Sequence, residues 1–166
     1  TQTALMLIDK GVDINKINTN GDTALILASL QGHTQIALML VDKGADINKT
    51  TTNDYTPLIL ACNNGRTQTA LMLVDKGADM NKTNTHGNTA LILACNNGHT
   101  QTALILIDKG ADINKINTNG DTALILACNN GHTQTALMLI DKGVDINKTN
   151  THGDTVLILA CNNGHT

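Results

Sequence analysis

"TALILACNNGHTQTAL" occupies residues 122–137, and the same letters, unchanged, occupy residues 89–104. Near-copies begin at Thr23, Thr56 and Thr155. Each start lies 33 residues from the next, and no insertion or deletion disturbs the count. The chain therefore divides into four full units, 18–50, 51–83, 84–116 and 117–149. Residues 1–17 supply the back half of an earlier unit, and residues 150–166 the front half of a later one. A period of this length marks a repeat array: one unit is too small to bury its own apolar face, whereas stacked units shelter one another.

The unit 117–149 has its own local logic. Thr122 can cap the free N–H groups at the start of a short helix. Leu124, Leu126 and Ala127 give that helix an apolar side, and Gly131 stops it in a left-handed turn. His132 and Thr133 form a tight turn, with Thr133 the expected cap of a second helix through "QTALMLIDK". Ala136, Leu139 and Ile140 lie there at helical spacing. Gly143 ends it, and "VDINKTNTHGD", rich in Asn, Asp, Thr and Gly, is expected to form a hairpin-like turn. The predicted fold is all-α, a solenoid of stacked helix pairs. Its ladders are Leu25, Leu58, Leu91, Leu124 and Leu157 in the first helices, and Leu40, Leu73, Leu106 and Leu139 in the second.

Composition agrees with thin layers in series. Hydrophobic residues make up 41% of the chain but aromatic ones only 1%, with Tyr55 alone. Any core must therefore come from aliphatic side chains and cysteine. A net charge of −3 supplies no basic footprint for nucleic acid. No apolar run approaches the roughly 18 residues that span a bilayer. The chain opens with Thr1 rather than Met and reads as a fragment or processed piece of a longer protein. Cys62, Cys95, Cys128 and Cys161 recur with the repeat period, each closing "LILAC". Layers about 10 Å apart exceed the ~7 Å Cα limit of a disulfide, and C-x-x-C zinc spacing is absent. The four are expected to be small buried hydrophobes, and free thiols favour a reducing, cytoplasmic compartment.

Gly21-Asp22-Thr23, Leu25, Leu27-Ala28, Gly32-His33 and Gly44-Ala45-Asp46-Ile47-Asn48, with their copies in later units, resemble the ankyrin repeat along the whole chain. The resemblance implies helix-turn-helix units with projecting turn tips. It also implies a function in protein–protein interaction, with tips and first helices lining a concave groove. Where the family has T-P-L-H this chain has T-A-L-I, and only Thr56-Pro57-Leu58-Ile59 keeps the proline. Ile26, Ile59, Ile92, Ile125 and Ile158 replace the usual His, so apolar contact between layers carries more of the stability. Leu38, Leu71, Leu104 and Leu137 stand where the family often has a polar residue. They either widen the packing stripe or expose an apolar row.

Nothing in the sequence carries catalysis. His33, His99, His132 and His165 follow helix-ending glycines, where the resemblance gives them a structural role. Layers about 10 Å apart cannot bring them to one metal ion. His86 and His152 fall on turn tips and are expected to be solvated. Acid pairs such as Asp42/Asp46 and Asp108/Asp112 have no nucleophile or cleft beside them. No cofactor motif is present. The N-glycosylation patterns at Asn48, Asn81 and Asn147 are accidents of an Asn/Thr-rich repeat.

Recognition is thus the expected function, and one unit stands apart. Residues 51–83 carry the only Tyr (Tyr55), the only Pro (Pro57) and the only Arg (Arg66), with Asp54 replacing the tip glycine. High affinity rests on a few large anchors. The candidate partner-binding residues are therefore Asn53, Asp54 and Tyr55 at the tip, and Asn63, Asn64 and Arg66 below. Neutral drift in a duplicated array is the competing explanation of their difference. A second reading is a structural rod. Residues 150–166 of one molecule could be completed by residues 1–17 of another in head-to-tail self-association, a contact able to propagate as a filament.

Overall fold

The computed structural model describes residues 2–165. Ten helices follow one another among the described residues: α1 Gln2–Asp9, α2 Ala24–Gln31, α3 Thr34–Asp42, α4 Pro57–Asn63, α5 Thr67–Asp75, α6 Ala90–Asn96, α7 Thr100–Asp108, α8 Ala123–Asn129, α9 Thr133–Asp141 and α10 Val156–Asn162. None exceeds nine residues, well short of the length at which an isolated helix holds in water. Stacking supplies what the helices lack. Helices α2, α4, α6, α8 and α10 pack in one row and α3, α5, α7 and α9 in a second, with each α2–α3-type pair joined across the rows. The product is the all-α solenoid of repeating helix pairs.

Thr23, Thr56, Thr89, Thr122 and Thr155 each accept the backbone N–H three residues on, at 3.1–3.3 Å. Each such cap contributes about 1 kcal/mol. The second helices start differently from the sequence expectation. His132, not Thr133, holds the N-cap position, and it makes no side-chain capping bond. In the earlier units the threonine at the first helical position turns instead toward the next layer. Thr34, Thr67 and Thr100 share hydroxyl hydrogen bonds of 2.7 Å with Thr69, Thr102 and Thr135. Because Thr69, Thr102 and Thr135 are buried, that pairing satisfies hydroxyls that would otherwise be stranded.

The hairpin-like turn between units is also corrected. No strand pair forms among the described residues, only isolated bridges at Ile116–Thr122 and Thr149–Thr155. Side chains capture the backbone donors first. Asn117 Oδ1 accepts the N–H groups of Asn119 and Asp121 at 2.9 Å, and Asp112 Oδ1 accepts that of Asn114 at 2.9 Å. Asx turns of this kind compete with a ladder. The tips then stack: Thr118 N–H donates to His86 O at 3.0 Å, and Thr151 N–H to Asn119 O at 2.9 Å.

The core is the expected aliphatic stripe. Leu25, Leu58, Leu91 and Leu124 are buried, as are Leu40, Leu73, Leu106 and Leu139, with Ile26, Ile59, Ile92 and Ile125 beside them. Leu157 departs from its ladder at 70% exposed, because no unit lies over α10 in the structure. Cys161 is exposed for the same reason, Cys128 is half-buried in a cleft shared with Ala160 and His165, and Cys62 and Cys95 are buried as expected. Leu38, Leu71 and Leu104, on the second-row helices, are half-buried, while Leu137 is exposed. Along the far edge Lys43, Lys76, Lys109 and Lys142 pair with Asp9, Asp42, Asp75 and Asp108 of the preceding layer, at 2.7–3.1 Å. These pairs are solvent-exposed and contribute little apiece.

One flaw in the stripe makes a prediction. Ser29 occupies the place that cysteine takes in later units, fully buried, and its Oγ has no hydrogen-bond partner. An orphaned buried hydroxyl costs about 1–3 kcal/mol. Ser29→Cys should therefore raise the free energy of unfolding by about 1 kcal/mol, read as a higher urea midpoint at unchanged slope.

Candidate partner-binding site

The six candidate residues fall at two places, one at each end of α4, a helix about 10 Å long at 1.5 Å per residue. Asn53, Asp54 and Tyr55 lie at its N-terminal side. Asn53 and Tyr55 help line a cleft of about 300 Å³ between the first two full tips, with Asn20, Asp22, Leu30 and Leu60. Asn63, Asn64 and Arg66 lie at the C-terminal side. There Arg66 helps line a separate cleft of about 310 Å³ with Gln31, Gly32, Gly65 and Gln68.

The second group is largely engaged within the array. Asn63 accepts the amide of Asn97 at its carbonyl (2.9 Å) and at Oδ1 (3.0 Å), while its carbonyl also takes His99 Nε2–H at 3.2 Å. The motif recurs one layer on, with Asn130 and His132 on Asn96. The "NN" and "GH" pairs are therefore rungs between layers, which assigns His99 and His132 their role. Asn64 has no such neighbour, since the preceding unit carries Leu30-Gln31, and its amide turns back to Leu60 O at 2.8 Å. Arg66 replaces the histidine rung. Its Nε donates to Leu30 O at 3.2 Å, and its stem lies so close to Gly32 that a Cβ there would meet Arg66 Cδ at 2.8 Å.

The tip group is differently placed. Asn53 and Asp54 are exposed, and Tyr55 is half-buried with its ring against the core. Asp54 has φ 60°, the only non-glycine in the left-handed region among the described residues. Tyr55 also breaks a rung. In later junctions the tip asparagine donates to the residue ahead of the capping threonine below: Asn117 to Asn88 Oδ1 and Asn150 to Asp121 Oδ1, both at 3.2 Å. A phenol at position 55 cannot accept in the same way, and Asn84, 4% exposed, has an Nδ2 without a partner. Below it, Thr51 replaces the tip asparagine, so Asp22 receives no amide from the second tip. Its Oδ2 takes only Asn18 Nδ2–H, at 3.0 Å, within its own turn. Asp22, Leu30 and Leu60 were not singled out in the sequence. The signal lay in comparing columns of the units, where Thr51 and Leu30 each stand against asparagine.

A family model described as ankyrin repeats (3 copies) matches residues 1–84, 48–117 and 76–150. The chain belongs to the ankyrin-repeat family. No curated protein matches it. An ankyrin array of this kind is consistent with a non-enzymatic scaffold. Among the described residues no group of three or more His, Cys, Asp or Glu is placed to hold a metal ion, and no helix is long and apolar enough to cross a membrane.

The cysteines of the ankyrin stack are graded by depth. Burial pushes the Cys62 thiol far up, the neighbouring Cys95 adding to it, and burial pushes Cys95 up to about 12. Burial raises Cys128 as well. Thiolate is the reactive form. Iodoacetamide at pH 8 should therefore label Cys161 in the folded chain and leave Cys62 and Cys95 untouched until denaturant is added, as peptide mass mapping would show. Labelling of all four at one rate would contradict the stacked arrangement.

Proposed function

We propose that this ankyrin array is a non-catalytic protein-interaction scaffold, whose partner lies across the turn tips and the groove beside the first helices. The observation that carries the reading is the cleft at Tyr55, where the one aromatic side chain of the chain meets open volume, flanked by aliphatic and polar walls. Aromatic anchors in such settings hold a large share of binding energy. Asn53 and Asp54 are the exposed neighbours the partner would meet first. Asn63, Asn64 and Arg66 would meet it only if it extends along α4. The free thiols suit a reducing cytoplasmic setting.

Tyr55→Ala should weaken a native partner by roughly 1–3 kcal/mol. The measurement is affinity capture with wild-type chain, followed by titration calorimetry of the captured protein against both forms. An unchanged Kd would remove Tyr55 from the interface.

End-to-end stacking is the second reading, favoured by one contrast. Leu157 and Ile158 of α10 are exposed, whereas Leu124 and Ile125, their equivalents in α8, are buried under the next layer. A second copy seated on α10 would cover the same apolar face. Sedimentation velocity at rising concentration tests it: a constant monomer coefficient rejects self-association.

A further inference from the structure

We propose that the cleft between the first two full tips is a receptor for one basic side chain, Lys or Arg, of that protein partner. The proposal rests on the scaffold reading above and names the chemistry its first contact would require. Three features converge on the cleft. Its acid, Asp22, is half-buried, and among the described residues its carboxylate has a single hydrogen-bond partner, Asn18. Its aromatic, Tyr55, can offer a ring face to a cation. Its aliphatic wall, Leu30 and Leu60, can pack the methylene stem of Lys or Arg while the charged head stays polar. No basic residue lines this cleft, so the acid has no local counter-charge there.

The cleft between the last two tips is an internal control, about 180 Å³ and lined by Asn119, Asp121, Asn129, Asn150 and His152 among others. There Asp121 is buried, and it already receives the amides of Asn150 at 3.2 Å and Asn117 at 3.4 Å. Asn129 stands where the first cleft has Leu30, and Asp154 where it has Tyr55. An acid bonded on both oxygens, with no tyrosine beside it and the imidazole of His152 in the lining, has little to give a cation. The difference traces to two substitutions, Thr51 for asparagine and Tyr55 for an acid or amide, which together free Asp22 and place a ring beside it.

The test uses the full chain, labelled with nitrogen-15, and two capped tripeptides, alanyl-arginyl-alanine and its norleucine counterpart. The arginyl peptide should give saturable amide shifts confined to Asn20, Asp22, Thr51, Asn53 and Tyr55, with Kd about tenfold lower than the norleucine peptide. Asp22→Asn should remove that preference at unchanged melting temperature, because its amide oxygen still accepts from Asn18. Tyr55→Leu, which keeps an apolar wall, should also weaken the arginyl peptide and provides a second variant. Equal binding of both peptides at this cleft would overturn the basic occupant while leaving the scaffold reading intact. No localised shift, or equal shifts around Asp121, would overturn the site itself. The scaffold reading fails separately, through Tyr55→Ala in partner titration.

Discussion

Leu124→Ala is expected to lower the free energy of unfolding by about 2–5 kcal/mol, and Leu157→Ala, one repeat further on, by less than about 1 kcal/mol. Both leucines stand at the same place in "TALILAC" or "TVLILAC". Leu124 is fully buried between neighbouring layers and Leu157 is 70% exposed. The first truncation removes methyl groups from contact on all sides and leaves a cavity that adjoining layers cannot refill. The second removes surface that water already touches. In a stacked array the loss at Leu124 also weakens both junctions it shares, so the denaturation curve should broaden as well as shift. Urea unfolding followed by circular dichroism would measure both effects. Equal losses at the two positions would mean that the layers do not bury one another.

Gly87→Ala should cost about 2–4 kcal/mol, against about 1 kcal/mol for Gly110→Ala. Both glycines have positive φ, 74° and 92°, so the left-handed penalty on an added Cβ is common to them. Their surroundings differ. A Cβ at Gly87 would lie 2.8 Å from the backbone nitrogen of Thr118 and 3.2 Å from Asn117 C, whereas at Gly110 nothing lies within 4 Å. The obstruction at Gly87 is backbone of the next tip, and Thr118 N–H there donates to His86 O at 3.0 Å. Relief therefore requires separating the tips. Thermal melts of the two variants against wild type would check the difference, and equal melting temperatures would remove the steric contribution.

Much of this was legible in the letters. The 33-residue period, the threonine before each first helix and the leucine spacing follow from local rules that hold wherever a helix pair must find an apolar partner. The odd unit was visible too, because Tyr55, Asp54 and Arg66 interrupt an otherwise uniform text. Other features were not legible, because they depend on registration between layers. Thr133 reads as a cap by its neighbours in sequence, yet its counterparts Thr34, Thr67 and Thr100 answer to hydroxyls 35 residues away. The turn residues read as a hairpin, yet Asx side chains take the backbone donors first.

By itself, then, the order of residues determined the helices, their period and which side of each is apolar, since these depend on torsional preference and spacing within a few turns of chain. Stacking alone decided which of several identical residues is buried, which amide finds an acceptor, and which acid is left with room beside it. The reason is physical: burial and hydrogen-bond satisfaction belong to a residue's surroundings, and at Asp22 and Asp121 the same letter meets different neighbours across the gap between layers.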